Sequence, residues 1–362
     1  MINLNSKRYD RQTILPEIGL SGQEKLANAK VLIIGAGGLG CPVLQNLAAA
    51  GVGHIGIVDG DVIEETNLHR QFLYALSDCG KNKANVAASV VSRQNPEIAI
   101  VPSDYYFTQS NAAKIIEDYH IIVDCSDNLE TRYAINDVAV AKGIPMVYAS
   151  IHKFEGQLSV LNYKEGPTYR CLFPQDENRI IYDCETSGVL GVLPHTLGAM
   201  QANETLKIIL EKGKVLSGSL FLYDGLNNSF QNIGFQRNEI EFKKGISNGL
   251  AILKGDIDAS VSALNADAFF EAIQKDEALV IDIRESYEEP KMPFANITNI
   301  PLAQLENRIE RIEKNRQIIL CCQHGNNSFM AANYLFKKGY TRLSHLENGI
   351  ESLAEKFIGI ND

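Results

Sequence analysis

The first 212 residues alternate between short apolar runs and longer segments in which apolar residues recur every three or four positions. Almost continuous apolar character marks the runs VLIIG (31–35), HIGIVD (54–59) and HIIVDCSD (120–127), as is typical of parallel strands buried on both faces. Two more strands are predicted at 97–104 and 145–151, with helices at 39–50, 83–94, 129–142 and 197–212. This alternation predicts an α/β fold with a doubly wound, mainly parallel sheet.

A second, smaller α/β pattern occupies the last hundred residues, with helices predicted at 266–275 and 328–338 and strands at 278–284, 317–322 and 342–346. Before it, in KKGISNGLAILKGDID, the periodicity weakens while Gly, Lys and Asp accumulate. A chain of 362 residues is longer than one core usually supports. The pattern therefore predicts a first domain at 1–243, a linker at 244–258 and a second domain at 259–362.

Composition narrows the functional classes. The net charge is −10 and no dense Lys/Arg cluster occurs, so we expect no nucleic-acid partner. Residues 31–58 lack charged side chains, but their seven glycines fit a strand–turn–helix–turn–strand unit better than a membrane span. The polar start MINLNSKRYDRQ predicts no signal peptide, and seven scattered cysteines favour a reducing cytoplasm over a disulfide framework.

A glycine-rich turn follows the first predicted strand. Gly35, Gly37 and Gly40 have the G-x-G-x-x-G spacing, with an additional glycine at Gly38. Such a turn in a Rossmann-like sheet lets the backbone approach a phosphate chain, which then meets the N-terminus of the next helix. The motif alone fits NAD, a flavin or ATP.

The residues after the second and fourth strands favour ATP. Asp59 ends the second strand, where an acidic side chain binds ribose hydroxyls in either nucleotide class. A triphosphate with magnesium also needs cations aimed at the phosphates and a carboxylate for the metal. Arg70 and Lys83 are candidates for the cations and Asp127 for the carboxylate, whereas a dehydrogenase needs neither.

Five segments, RYDRQTILPEIGLSGQEKL, GAGGLG, DVIEETNLHRQF, DCSDN and CETSGVLGVLPHTLGAMQANE, together resemble one family over residues 5–240. It comprises the prokaryotic-type adenylyltransferases similar to ubiquitin-activating enzymes, which activate sulfur carriers for molybdopterin or thiamin thiazole synthesis. The last hundred residues resemble a rhodanese domain. The resemblance implies ATP, Mg²⁺ and a ubiquitin-like carrier ending in Gly-Gly, whose C-terminal carboxylate attacks the α-phosphate to give an acyl adenylate and pyrophosphate.

The family's site residues carry over onto matching positions. The resemblance implies that Asp59 binds ribose, Asn67 and Arg70 hold phosphates, Lys83 neutralises developing charge and Asp127 binds magnesium. Arg11 matches an arginine that reaches the partner subunit's site, which implies a homodimer. The implied nucleotide-binding set is Gly35, Gly37, Gly38, Gly40, Asp59, Asn67, Arg70, Gln71, Lys83, Asp127 and Asn128.

The sulfur chemistry is expected at two cysteines. Cys322 opens the rhodanese-like loop CQHGNNS, where backbone N–H groups and a helix dipole would stabilise a persulfide, whereas Cys321 is expected in the core. The family places a cysteine at Cys184 that can join covalently to the carrier. We expect a persulfide donor such as a cysteine desulfurase. Arginines usual in rhodaneses that use thiosulfate are missing from the loop, so the pattern does not support a small-anion donor.

The sequence departs from the family at its structural zinc site, which normally uses two C-x-x-C pairs. The first pair reads Thr168-Tyr169-Arg170-Cys171, and no cysteine lies between Cys184 and Cys321. Thiolates for a four-coordinate zinc are therefore lacking, and we expect no structural zinc.

Other functions stay open at this level. The chain could adenylate another acceptor, such as a tRNA-modification dehydratase or a modified peptide, or it could be a carrier-binding scaffold with an inactive rhodanese module. A further hypothesis is an NAD oxidoreductase, which the presence of Arg70, Lys83 and Asp127 disfavours. The sequence identifies neither the carrier nor the sulfur donor.

Overall fold

The structure is a computed structural model that describes residues 7–174, 188–255, 261–274, 278–292, 294, 296–308, 312–323 and 325–353. These residues divide into two compact units, one up to residue 255 and one from residue 261 onward. None of the helices within the described ranges is long and apolar enough to span a membrane.

The first unit contains an eight-stranded sheet with the order β3-β2-β1-β4-β5-β6-β7-β8. Its strands are β1 (Lys30–Ile34), β2 (His54–Val58), β3 (Ala99–Ser103), β4 (Ile121–Asp124), β5 (Met146–His152), β6 (Glu155–Leu161), β7 (Ser219–Asp224) and β8 (Ser229–Gly234). β1 to β5 are parallel, and β6 to β8 continue the sheet in antiparallel pairs. The predicted doubly wound, mainly parallel sheet is confirmed.

Helices cover both faces of this sheet. They are α1 (Asp10–Thr13), α2 (Gly19–Asn28), α3 (Gly40–Ala50), α4 (Lys83–Gln94), α5 (Gln109–Ile115), α6 (Leu129–Lys142), α7 (Tyr169–Leu172), α8 (Val192–Leu210) and α9 (Glu239–Lys254). Alternate residues of β1 enter two different cores: Val31 and Ile33 pack on the side of α3, whereas Leu32 and Ile34 pack on the side of α6. Burial on both faces explains the continuous apolar run.

The strand order reverses between β1 and β4. Chain connections leave the sheet in opposite directions at this point, so a crevice opens beyond the carboxyl ends of β1, β2 and β4. The glycine turn, Asp59 and Asp127 all follow one of these three strand ends.

The predicted linker at 244–258 is wrong for residues 244–254, which belong to α9. The side chain of Asn238 caps this helix by accepting from the N–H groups of Ile240 and Glu241. Gly245 and Gly249 face α6, and a Cβ at Gly249 would lie 2.0 Å from the Asp137 carbonyl oxygen. The glycines that weaken the apolar periodicity therefore permit close helix–helix packing.

The second unit is a five-stranded parallel sheet with the order β11-β10-β12-β13-β9. Its strands are β9 (Val261–Leu264), β10 (Ala278–Asp282), β11 (Ile297–Asn299), β12 (Gln317–Cys321) and β13 (Leu343–Leu346). Its helices are α10 (Ala266–Gln274), α11 (Leu302–Arg308) and α12 (Asn326–Lys337). This is the second, smaller α/β domain that the sequence predicts.

Candidate active site

The glycine turn joins β1 to α3, and two of its glycines are required by the backbone. Gly35 has φ +96°, and a Cβ there would lie 2.5 Å from the Cys125 carbonyl oxygen. A Cβ at Gly40 would lie 2.0 Å from the Gly35 carbonyl oxygen. Gly37 has more room, since the nearest atom to a Cβ there is Gln71 Nε2 at 3.6 Å, while Gly38 approaches Pro194 of α8. The turn therefore presents bare backbone at the N-terminus of α3, as phosphate binding requires.

Asp59 lies beside this turn. Its Oδ2 accepts from the Ala36 N–H at 2.7 Å and its Oδ1 accepts from the Asp61 N–H at 2.9 Å. Burial raises its pKa to about 6, although the nearby Lys83 ammonium opposes that shift. The carboxylate is thus oriented by backbone donors, and its remaining lone pairs can accept from ligand hydroxyls.

The turn after β2 carries Asn67, Arg70 and Gln71. Asn67 is buried, and its Oδ1 caps the turn by accepting from the Glu64 N–H at 3.2 Å. Arg70 donates from Nη1 to the Thr66 carbonyl at 3.0 Å, so its guanidinium lies over its own turn.

Gln71 has an unsatisfied acceptor next to the glycine turn. Only 3% of the residue is exposed, and within the described residues its Oε1 has no hydrogen-bond partner. Leaving a buried polar atom unpaired costs about 1–3 kcal/mol. The atom of this side chain that approaches the glycine turn is Nε2, a hydrogen-bond donor.

Lys83 begins α4 and is buried. Its Nζ donates to Asp61 Oδ2 at 2.7 Å. Burial lowers the pKa of Lys83, but the charges of Asp59, Asp61 and Asp127 outweigh that effect and raise it. The lysine is therefore a positively charged group held near the carboxyl ends of β2 and β4.

Asp127 and Asn128 follow β4. Asp127 is exposed, whereas the side chain of Asn128 caps α6 by accepting from the Thr131 N–H at 2.9 Å. The part of the chain that the structure describes contains no group of three His, Cys, Asp or Glu residues suited to a metal. Mg²⁺ is commonly held by one or two carboxylates together with substrate phosphates and water. Asp127 fits that kind of site.

Arg11 is not brought to these residues within one chain. It is exposed on α1, and its neighbour Gln12 donates from Nε2 to the Ala50 carbonyl at 3.0 Å. Ala50 ends α3, an eleven-residue helix that spans about 15 Å, and the glycine turn lies at the other end.

Sequence reasoning missed three side chains that shape the site. Asp61 contacts Lys83, Tyr106 donates to Asp61, and Tyr74 donates to the Ala36 carbonyl at 2.7 Å and so supports the glycine turn. The spacing of Asp59 and Asp61 in VDGDV was an available signal for the first of them. The two tyrosines have no such signal, because their contacts are distant in sequence.

Cys322 follows β12 in the second unit and is nearly buried. Its Sγ accepts from the N–H groups of Gly325 at 3.1 Å and Ser328 at 3.3 Å, at the N-terminus of α12. Gly325 has φ +97°, and a Cβ there would lie 1.9 Å from the Glu347 carbonyl oxygen. Backbone donors aimed at Sγ favour a thiolate or a persulfide anion.

Cys321 packs in the other core of this sheet, as the strand alternation predicts, and burial raises the pKa of its thiol well above its usual value. Arg284 reaches the Cys322 loop and donates to Gln323 Oε1 at 2.8 Å. The Asp282 carboxylate pairs with this guanidinium at 2.9 Å, so its charge is already balanced. Cys184 and His324 lie outside the described residues.

The region around Cys171, where the sequence departs from the zinc motif expected from the resemblance, is held by other contacts. Cys171 Sγ accepts from the Asn238 N–H at 3.3 Å and lies 3.2 Å from Thr168 Oγ1. The described residues there supply one thiol, so the donor set does not fit a zinc thiolate site. A buried ion pair, Arg170 with Asp137 at 2.6 Å, joins α7 to α6 instead.

Residues 9–241 match the model of the ThiF family, and residues 265–356 match that of the rhodanese-like domain. The chain belongs to the ThiF family. The match covers the β1–α3 turn and all the candidate nucleotide residues, and the rhodanese-like match covers Cys322. The predicted family membership is confirmed.

Curated ThiF-family relatives carry informative names. The chain is 35% identical to the adenylyltransferase and sulfurtransferase MOCS3 of Drosophila sechellia, over 94% of this chain and 82% of that protein. It is 46% identical to a sulfur carrier protein adenylyltransferase of Thermus thermophilus, over 64% of this chain and 88% of that protein. Among solved structures, E. coli MccB with ATP aligns with a TM-score of 0.58 at 23% identity, covering 66% of this chain and 74% of that chain. That likeness shows the shared fold.

Proposed function

We propose that this protein uses ATP to adenylate the C-terminal glycine of a ubiquitin-like sulfur-carrier protein and then supplies sulfur from a persulfide on Cys322. The products would be AMP, pyrophosphate and a carrier thiocarboxylate. One observation carries the proposal, namely that a single chain contains both kinds of site. Its first unit has a glycine turn suited to phosphate, with Asp59 and Lys83 nearby. Its second unit has a cysteine, Cys322, whose Sγ accepts hydrogen bonds from two backbone N–H groups. The names of the ThiF-family relatives support both activities.

In this proposal the nucleotide lies across the glycine turn. Its phosphates meet the N-terminus of α3 at Gly37 and Gly38, and its ribose donates to Asp59. Gln71 Nε2 supports this placement, since it is the nearest atom to a Cβ at Gly37 and can donate to a phosphate oxygen above the turn.

The remaining polar residues act on the phosphates. Arg70 and Lys83 supply positive charge, while Asn67 holds the turn from which Arg70 projects. Magnesium bound by Asp127, next to Asn128, would neutralise phosphate charge as pyrophosphate departs. The carrier carboxylate attacks the α-phosphorus, so the protein contributes positioning and electrostatic stabilisation rather than covalent chemistry at this step.

A homodimer completes each site in this proposal. Arg11 lies at the far end of α3 from the glycine turn of its own chain, which supports its presentation by a second copy. Ile14, Leu15 and Leu20 are large apolar side chains exposed close to it in sequence, as expected of a surface that a second copy covers.

Sulfur transfer follows adenylation. The terminal sulfur of the Cys322 persulfide attacks the adenylated carbonyl and AMP leaves, giving an acyl disulfide between carrier and Cys322. The Cys184 thiolate then attacks Cys322 Sγ, which forms a Cys184–Cys322 disulfide and releases the thiocarboxylate. A dithiol reductant then reduces this disulfide and is itself oxidised, so that Cys322 can accept the next persulfide sulfur. The acceptor is a carrier of the molybdopterin or thiazole type, and the persulfide comes from a donor such as a cysteine desulfurase. Free thiols at all six described cysteines fit activity in the reducing cytoplasm.

Pyrophosphate exchange tests the adenylation step. Purified protein should exchange labelled pyrophosphate into ATP only when a Gly-Gly carrier is present, and a carrier that lacks its last glycine should be inactive. Exchange that depends on another acceptor, such as a peptide, would support adenylation of that acceptor instead. Absence of exchange with every Gly-Gly carrier tested would favour a scaffold role.

A further inference from the structure

The Asp61 carboxylate lies between the Lys83 ammonium and the Tyr106 hydroxyl. We propose that Asp61 is a positioning residue of the adenylation site, which holds the Lys83 ammonium in place and is itself oriented by Tyr106. This inference rests on the function proposed above.

Lys83 needs a counter-charge because its side chain is only 9% exposed. Asp61 supplies it through a bond of 2.7 Å between Nζ and Oδ2. The Asp61 side chain is 43% exposed, so the pair joins a buried cation to a carboxylate that solvent, and therefore a ligand, can reach.

Tyr106 engages the other carboxylate oxygen. Its hydroxyl donates to Asp61 Oδ1 at 2.7 Å, and its ring lies against Gly60, where a Cβ would come within 2.9 Å. With Lys83 on one oxygen and Tyr106 on the other, the plane of the carboxylate is set from both sides. A rigidly held partner reduces the entropy that Lys83 would lose on engaging a phosphate.

The backbone of Asp61 connects the end of β2 to the start of α4. Its N–H donates to Asp59, and its carbonyl accepts from the Lys83 N–H at 2.9 Å and from Asn82 Nδ2 at 3.2 Å. The end of β2 and the start of α4 therefore meet at this residue. Because these bonds use main-chain atoms, Asp61→Asn removes the charge and keeps the connection.

Kinetics of carrier-dependent pyrophosphate exchange test the role. We expect Asp61→Asn to lower kcat about tenfold, the equivalent of one charge-assisted hydrogen bond, with the KM for ATP changing less than about twofold. Tyr106→Phe should also lower kcat, by about threefold. Asp104→Asn is the matched control, because that exposed carboxylate at the same end of the sheet contacts Asn85 rather than Lys83.

A double-mutant cycle separates positioning from direct ligand contact. In a Lys83→Met background, Asp61→Asn should cause no further loss, because its effect passes through the lysine. A further tenfold loss in that background would overturn the proposal, since Asp61 would then act on the nucleotide or the metal itself.

An NMR titration of ¹⁵N-lysine-labelled free protein reads the contact without turnover. Three carboxylates, Asp59, Asp61 and Asp127, raise the pKa of Lys83, so Asp61→Asn should lower that pKa while Asp104→Asn leaves it unchanged. An unchanged Lys83 pKa in Asp61→Asn refutes the positioning role. A wild-type protein without exchange activity would refute the proposed function instead, and the titration would still decide the role of Asp61.

Discussion

Removing the Asp137 charge should destabilise the region where α6, α7 and α9 meet. Asp137 accepts from Arg170 Nε at 2.6 Å and Nη2 at 2.7 Å, and also from Asn136 and Asn248 at 2.9 and 3.1 Å. Both side chains of the ion pair are 3% exposed. Asp137→Asn removes the carboxylate that accepts both of these guanidinium bonds, and breaking a buried ion pair by removing one partner typically costs about 3–5 kcal/mol.

Hydrogen exchange followed by mass spectrometry measures this loss where it occurs. The chain has two compact units, so global unfolding need not be two-state, whereas peptides from α6, α7 and α9 report on this contact directly. The free energy of opening for those peptides should fall by about 3–5 kcal/mol in Asp137→Asn. Peptides from the second unit should exchange as in the wild type.

Two control variants test whether the loss in Asp137→Asn comes from breaking a buried ion pair. Replacing both partners, Arg170→Met with Asp137→Leu, should cost much less than the single change, because both members of the ion pair are removed together. Breaking the exposed Lys25–Glu211 pair with Lys25→Met should cost less than about 1 kcal/mol. A loss below about 1 kcal/mol in Asp137→Asn, or strong destabilisation of the wild type by a zinc chelator, would refute the reasoning.

Other predictions concern the two reactions. Asp127→Ala should abolish carrier-dependent pyrophosphate exchange without altering thermal unfolding, and a near wild-type exchange rate would remove Asp127 from the metal site. Mixing Arg11→Ala subunits with Asp127→Ala subunits should restore part of the activity, because one site of each heterodimer then has both residues; no rescue despite demonstrated subunit exchange contradicts completion in trans. Cys322→Ala should leave adenylation intact but stop thiocarboxylate formation, which intact mass of the carrier reports. Thiocarboxylate at the wild-type level would show that sulfur takes another route.

Elements with a local pattern of their own are predictable from the amino-acid sequence alone. Near-continuous apolar runs predicted β1, β2 and β4, because strands covered on both faces need apolar residues at successive positions. The glycine turn was equally visible, since Gly35 and Gly40 occupy backbone positions where a Cβ would collide with carbonyl oxygens. The loop at Cys322 was also predicted from a short local motif, and its Gly325 again occupies a position where a Cβ would collide with a carbonyl oxygen.

The same reasoning failed where local pattern and three-dimensional role differ. Every residue of β8 is exposed, so this strand lacks the apolar periodicity that would have revealed it. The segment that forms α9 was predicted to be a linker because its glycines interrupt the apolar periodicity. Those glycines allow close contact with α6, which lies about a hundred residues earlier in the chain.

The partners of the polar side chains follow from the three-dimensional arrangement of the chain. The fold places Gln71 Nε2 near Gly37, joins Asp61 to both Lys83 and Tyr106, and separates Arg11 from the glycine turn by the length of α3. These are properties of pairs that are distant in sequence. Their energies depend on burial and on separations of a few ångströms, because charges and hydrogen bonds strengthen as water is excluded, and linear spacing contains neither quantity.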